Sequence, residues 1–229
     1  KDGLDEVLAL AKDMKRHRYE KPYTEILKYK TFFMFFYNPS VRTRQSFEAA
    51  ATELGGHAQF LEPKTMRLKS KEKAGETIED AAKVMSRYGV GLGIRILEDA
   101  IEQYGDGEAL LREYAEYASI PIVSMAHDKY HPCQGLADLM GLQEHMGDVK
   151  GRKITMMWGY SPMVRSWSSV QEDVLLLPRY GMDLTLAYPE GFDLDPEVIE
   201  RGKKNAEKAG AKFEITHDRF DAVKGADVV

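Results

Sequence analysis

The sequence predicts an α/β protein of two domains, each a parallel β-sheet flanked by helices. Three observations carry this. Apolar, strand-like runs alternate with segments of helical periodicity along the chain, the pattern of strands joined by helical crossovers. Residues 31–37 (TFFMFFY) are apolar without interruption, as a strand buried on both faces must be. The segment Gly147-Asp148-Val149-Lys150-Gly151 breaks the alternation, dividing a first domain at 1–147 from a second at 148–229.

Each element follows in order. Residues 1–21 predict an amphipathic helix, and charges interrupt its apolar stretches too often for a signal peptide. After the strand at 31–37, Asn38-Pro39 leads into a helix with Phe47, Ala50, Ala51 and Leu54 on one face, closed by Gly55-Gly56. A strand at 57–61, a polar stretch at 62–74, a helix at 77–87 and a strand at 91–95 come next. A helix at 109–118 leads into a strand at 120–126, and Pro132 opens a helix through Leu136, Leu139, Leu142 and Met146. The second domain repeats the logic, with strands at 153–158, 183–188 and 212–216 and helices at 167–180, 195–209 and 219–224. Residues 226–229 read as the start of a further strand, which would need a helix to cover it. The second domain is therefore expected to be incomplete in this sequence.

Composition narrows the function. The chain has 229 residues, 43% hydrophobic, a formal charge of −5 and a pI of about 5.8, which argues against a nucleic-acid partner. No apolar run approaches the ~20 residues that span a membrane. The single cysteine, Cys133, excludes an internal disulfide and argues against a structural zinc site. A soluble cytoplasmic protein without a metal or other cofactor is expected.

The most informative segment is Asn38-Pro39-Ser40-Val41-Arg42-Thr43-Arg44. A buried strand enters a tight loop and a helix starts near Ser40, so backbone N–H groups and the positive end of the helix dipole favour an anion there. Ser40 and Thr43 add hydroxyls, and Arg42 adds a fork suited to phosphate oxygens. By spacing alone the same residues fit a serine-capped helix with surface arginines equally well.

The S-x-R-T-R segment after an apolar strand resembles the carbamoyl-phosphate motif of the aspartate/ornithine carbamoyltransferase family. His131-Pro132-Cys133-Gln134 resembles its H-P-x-Q motif, Arg95 its strand-ending arginine, and Gly75-Glu76-Thr77 the G-E-T after its mobile loop. The resemblance implies the carbamoyltransferase fold and transfer of the carbamoyl group of carbamoyl phosphate to an amino acid, with no cofactor. It implies that Ser40, Val41, Arg42 and Thr43 hold the phosphate, and that Arg95 reaches phosphate and carbonyl oxygen. It further implies that His131 donates to that oxygen and Gln134 binds the carbamoyl amine. Read without their neighbours, His131 is a capping residue and Gln134 an ordinary first-turn polar residue. The family also implies a homotrimer in which the mobile loop acts across subunits.

Two departures bear on the acceptor. Ser70 stands where an aspartate carbamoyltransferase has its loop serine, but Ala74 replaces the lysine before the glycine, which disfavours aspartate. After the first strand of the second domain comes Trp158-Gly159-Tyr160-Ser161-Pro162, in the style of the N-acylornithine transcarbamylases and a related branch. Trp158 and Tyr160 are then candidate acceptor contacts, with aromatic packing the alternative. That branch has a knotted second domain, so the resemblance implies the possibility of a knot here, although true knots are rare. The family's acidic acceptor motif normally lies beyond residue 229, so ornithine or an ornithine derivative is expected without a choice between them. A catalytically silent carbamoyl-phosphate-binding relative is the competing reading. A dinucleotide enzyme is disfavoured, since no G-x-G-x-x-G follows a strand.

Overall fold

A computed structural model describes residues 2–68, 74–160 and 167–229. They form two compact units, residues 5–129 and residues 130–229 with residues 1–4. No helix among the described residues is long and apolar enough to cross a membrane.

Helix α1 (Asp2–Arg16) ends before the predicted residue 21, in a turn where Tyr19 takes a left-handed φ of 73°. The first unit is built on β1 (Thr31–Phe36), β2 (His57–Leu61), β3 (Gly91–Ile96) and β4 (Ile122–His127). All are parallel, in the order β2-β1-β3-β4. Side chains of β1 alternate between two cores, as the period of two requires. Phe33 and Phe35 join Leu92, Ile94, Met85 and Tyr114 on one face, and Met34 and Phe36 join Met125 on the other. Tyr114 meets Phe35 edge-on, with ring centroids 5.7 Å apart.

Helices α2 (Val41–Glu53), α3 (Ile78–Tyr88) and α4 (Asp106–Tyr117) make the crossovers. On α2, Phe47, Ala51 and Leu54 turn inward, but Ala50 is exposed. Residues 47, 51 and 54 form one stripe, and Ala50, 100° from Ala51, falls off its edge. The helix closes at Gly55, where φ is +84° and a Cβ would lie 2.3 Å from the Thr24 carbonyl oxygen. Helix α4 begins earlier than the predicted residue 109 because its start is capped from afar: the Gly105 N–H donates to the buried carboxylate of Asp128, just past β4.

The second unit contains α5 (Pro132–Met146), β5 (Lys153–Met157), α6 (Ser168–Leu176), β6 (Asp183–Ala187), α7 (Pro196–Ala209), β7 (Phe213–Thr216) and α8 (Arg219–Ala222). Its sheet is parallel in the order β5-β6-β7. The strand expected at 226–229 begins as a parallel bridge from Val228 to Ile154, with the Thr155 N–H donating to the Val228 carbonyl at 2.9 Å. Helix α6 gives way at Leu177–Tyr180 to a tighter 3₁₀ turn, because Pro178 has no N–H to continue the helix.

Helices α5 and α6 pack at Gly135, where a Cβ would stand 2.5 Å from Glu172 Cγ. Burial there pushes the Glu172 carboxyl up to about 7, against the opposing charge of Arg201. Its buried neighbour Asp173 is raised in the same direction, by burial first and by the nearby Asp138 carboxylate second. A carboxyl raised on folding binds its proton more tightly folded than unfolded, so its stabilising contribution is complete below the unfolded value and is lost as pH rises to the folded one. Between pH 4.5 and about 7 Glu172 therefore makes stability fall as pH rises. Glu172→Gln should flatten that decline, measured as the midpoint of thermal unfolding across the window; an unchanged slope would show that Glu172 is not buried as an acid.

Candidate functional site

The end of β1 and the start of α2 form the candidate anion site, within the first unit. Ser40 is the N-cap of α2, in extended conformation, and its Oγ accepts the Thr43 N–H at 3.3 Å. That bond uses one free amide of the first turn, and by helix geometry the amides of Val41 and Arg42 have no intrahelical partner. Val41 and Arg42 are exposed and Thr43 is half-buried. An open cleft of about 620 Å³ adjoins this turn, lined among others by Tyr37, Ser40, Val41, Arg44 and Lys64.

Arg95 is delivered by the neighbouring strand. It pairs with Phe36 in the β1–β3 ladder, and the Tyr37 N–H donates to its carbonyl at 3.0 Å. On the other side, the register with β4 slips between Ile94 and Arg95, an irregularity of the kind that re-aims a side chain. The Arg95 Nε is buried and has no hydrogen-bond partner among the described residues. Burial lowers its guanidinium pKa, Asp99 opposes that, and the like charge of Arg42 lowers it further. Arg42 and Arg95 are thus within electrostatic reach of one another, with Asp99 and Glu98 partly offsetting their repulsion at Arg95. A dianion fits this arrangement, since it relieves the repulsion and supplies the missing acceptor.

Arg44 has other work. Its Nε donates to Glu48 at 3.0 Å, and its guanidinium lies 3.8 Å from the Phe60 ring centroid, so it braces α2 against β2.

His131 and Gln134 belong to the second unit. His131 is the N-cap of α5, its Nδ1 accepting the Gln134 N–H at 3.3 Å. A neutral ring that accepts at Nδ1 carries its proton on Nε2, so capping and donation from the other nitrogen are compatible. The Gln134 amide donates from Nε2 to Asp138 at 2.9 Å, which leaves its oxygen as the accepting end.

Of the acceptor candidates, Ser70 lies outside the described residues. Trp158 is half-buried: it stacks on Tyr188 at 4.4 Å and 9°, and its Nε1–H donates to the Phe192 carbonyl at 3.0 Å. Tyr160 is 81% exposed and touches Phe192 edge-on. Tyr188, Phe192 and Trp167 complete an aromatic cluster at the carboxyl ends of β5 and β6, where open α/β sheets bind ligands. Sequence reading passed over these three. The one available signal was the position of Tyr188 as the last residue of the strand predicted at 183–188.

Comparison with known proteins places the chain in a family. Residues 1–144 match the family model "Aspartate/ornithine carbamoyltransferase, carbamoyl-P binding domain", and residues 150–229 match "Aspartate/ornithine carbamoyltransferase, Asp/Orn binding domain". An ornithine carbamoyltransferase of Archaeoglobus fulgidus is 36% identical over 230 residues, covering 100% of this chain and 67% of that protein. An N-acetylornithine carbamoyltransferase of Xylella fastidiosa is 34% identical over 215 residues, covering 89% of this chain and 64% of that protein. A crystal structure of acetylornithine transcarbamylase complexed with acetylcitrulline superposes with a TM-score of 0.89 at 31% identity, covering 100% of this chain and 71% of that one. The chain spans 60% to 68% of the length of the ornithine carbamoyltransferases it matches.

Inorganic phosphate should raise the thermal unfolding midpoint in a concentration-dependent way, as any ligand of the folded state does. Arg95→Gln should abolish the rise; a rise that survives would place the anion elsewhere.

Proposed function

The chain belongs to the aspartate/ornithine carbamoyltransferase family, and we propose that it transfers the carbamoyl group of carbamoyl phosphate to the amine of ornithine or an ornithine derivative, releasing phosphate. The observation that carries this reading is the buried, unpartnered Nε of Arg95 at the end of β3, beside the strand whose end leads into the Ser40-capped first turn of α2 with Arg42. The domains are a carbamoyl-phosphate domain at 1–147 and an acceptor domain at 148–229. The working protein is a cytoplasmic homotrimer.

In the proposed reaction the acceptor nitrogen attacks the carbonyl carbon, the bond to the bridging phosphate oxygen breaks, and phosphate leaves with that electron pair. Ser40, Thr43, Arg42 and the first-turn amides, including that of Val41, hold the phosphate and stabilise the charge it gains. Arg95 serves both phosphate and carbonyl oxygen. His131 donates from Nε2 to the carbonyl oxygen as negative charge develops there. Gln134 accepts a hydrogen bond from the carbamoyl amine, its own amide nitrogen being held by Asp138. Tyr160 contacts the acceptor, with Trp158 as the ring that supports that wall, and Ser70 is the contribution of the mobile loop.

Calorimetric titration with carbamoyl phosphate, followed by ornithine, N-acetylornithine, N-succinylornithine or aspartate, tests the reading. Binding followed by turnover with one ornithine-type amine supports it, turnover with aspartate alone overturns the acceptor, and absence of binding overturns the site. Binding without turnover would favour a silent relative, the reading that Ala74 motivates. Arg42→Ala removes charge-assisted contacts worth roughly 1.5–3 kcal/mol each, so carbamoyl-phosphate affinity should fall by about one to two orders of magnitude. The fold should survive, because Arg42 is exposed.

A further inference from the structure

We propose that Asn38 is a positioning residue whose side-chain amide latches the loop carrying Ser40 and Arg42 to the chain leaving β3 past Arg95, setting the spacing of the anion site. The inference rests on the reading of that site given above, and begins from the β1–β3 ladder. In a parallel ladder the Tyr37 N–H bond to the Arg95 carbonyl should be followed by a bond from the Leu97 N–H back to the Tyr37 carbonyl. At that position the Leu97 N–H donates instead to Asn38 Oδ1, at 2.6 Å. The side chain continues the ladder while the backbone turns away into Pro39 and Ser40. Asn38 Nδ2 donates in turn to the Asp99 carboxylate. Both partners lie about sixty residues away in sequence, and Asn38 is only 4% exposed.

The consequence is mechanical. Ser40 and the first turn of α2, with Arg42 and Thr43, follow a connection that makes no ladder bond after Tyr37 among the described residues, and Arg95 lies two residues before Leu97. Without the amide bridge the loop and the β3 terminus could drift apart, and an ångström-scale drift is enough to separate groups that must share one dianion. Asp99 also acts on Arg95 through space, favouring its charged form. This gives the test a sign. Removing a carboxylate beside an anion site should tighten anion binding by simple Coulomb attraction. If Asp99 matters through the latch, its removal should weaken binding instead.

The experiment is calorimetric titration of the protein with inorganic phosphate and with carbamoyl phosphate, with folding of each variant checked by thermal unfolding. Asn38→Ala should lose roughly tenfold or more in both affinities, and Asp99→Ala roughly threefold to tenfold, the equivalent of one or two modest hydrogen bonds. Asp99→Asn, whose amide oxygen accepts the same bond, should bind as well as wild type or tighter. Wild-type affinity in a folded Asn38→Ala protein, or equal or tighter binding by Asp99→Ala, would overturn the latch. Should Asn38→Ala fail to fold, Asp99→Ala decides, because Asp99 is exposed. A wild-type protein that binds neither anion removes the site and the latch together, whereas a wild type that binds with indifferent variants removes the latch alone.

Discussion

The pairing of two adjacent parallel strands, β1 and β3, is the constraint on which the first unit depends. It places Phe36 beside Arg95, and so brings a helix N-terminus and a guanidinium to the same end of the sheet. Strand β1 can be central because its side chains are apolar on both faces, from Phe33 to Phe36. Either core alone would leave one face wet. The two together fix the strand's register, and with it the point where the chain turns into α2.

What that register creates is electrostatically incomplete. Arg95 is partly desolvated, its Nε has no partner among the described residues, and Arg42 repels it. Left unpaired, such a donor works against folding, and the apolar cores beneath the sheet are what hold it in place. In the proposed function the bound phosphate group offsets that cost, which is the physical sense in which the site would be preorganised. The aromatic cluster of the second unit follows a different logic: Trp158 spends its N–H on the Phe192 carbonyl and one face on Tyr188, making a rigid wall, whereas Tyr160 remains open to solvent.

Much of this was legible along the chain. The cap at Ser40, the proline start of α5 and the glycine close of α2 are local devices, encoded within a few residues, and each stands close to where the pattern put it. The readings that shifted did so for tertiary reasons. Helix α4 starts early because Asp128, just past β4, reaches the Gly105 N–H at its start, and Ala50 falls outside the stripe that packs on the sheet. His131 shows how two readings of one residue can coexist: the cap that occupies Nδ1 also sets the proton on Nε2.

The sequence by itself determined the alternation of strands and helices, the Ser40-capped helix start after the strand at 31–37 and the order of motifs that marks the family. Those features rest on periodicity and capping, whose range is a turn of helix or a few residues of strand. Only the tertiary structure decided that Arg44 is occupied by Glu48 and Phe60 while Arg42 has no such partner among the described residues, and that Trp158 is already stacked. It alone showed Asn38 continuing a ladder its backbone has left. Each of these depends on which distant residue arrives opposite, and that is set by strand order and register, which the local pattern does not carry.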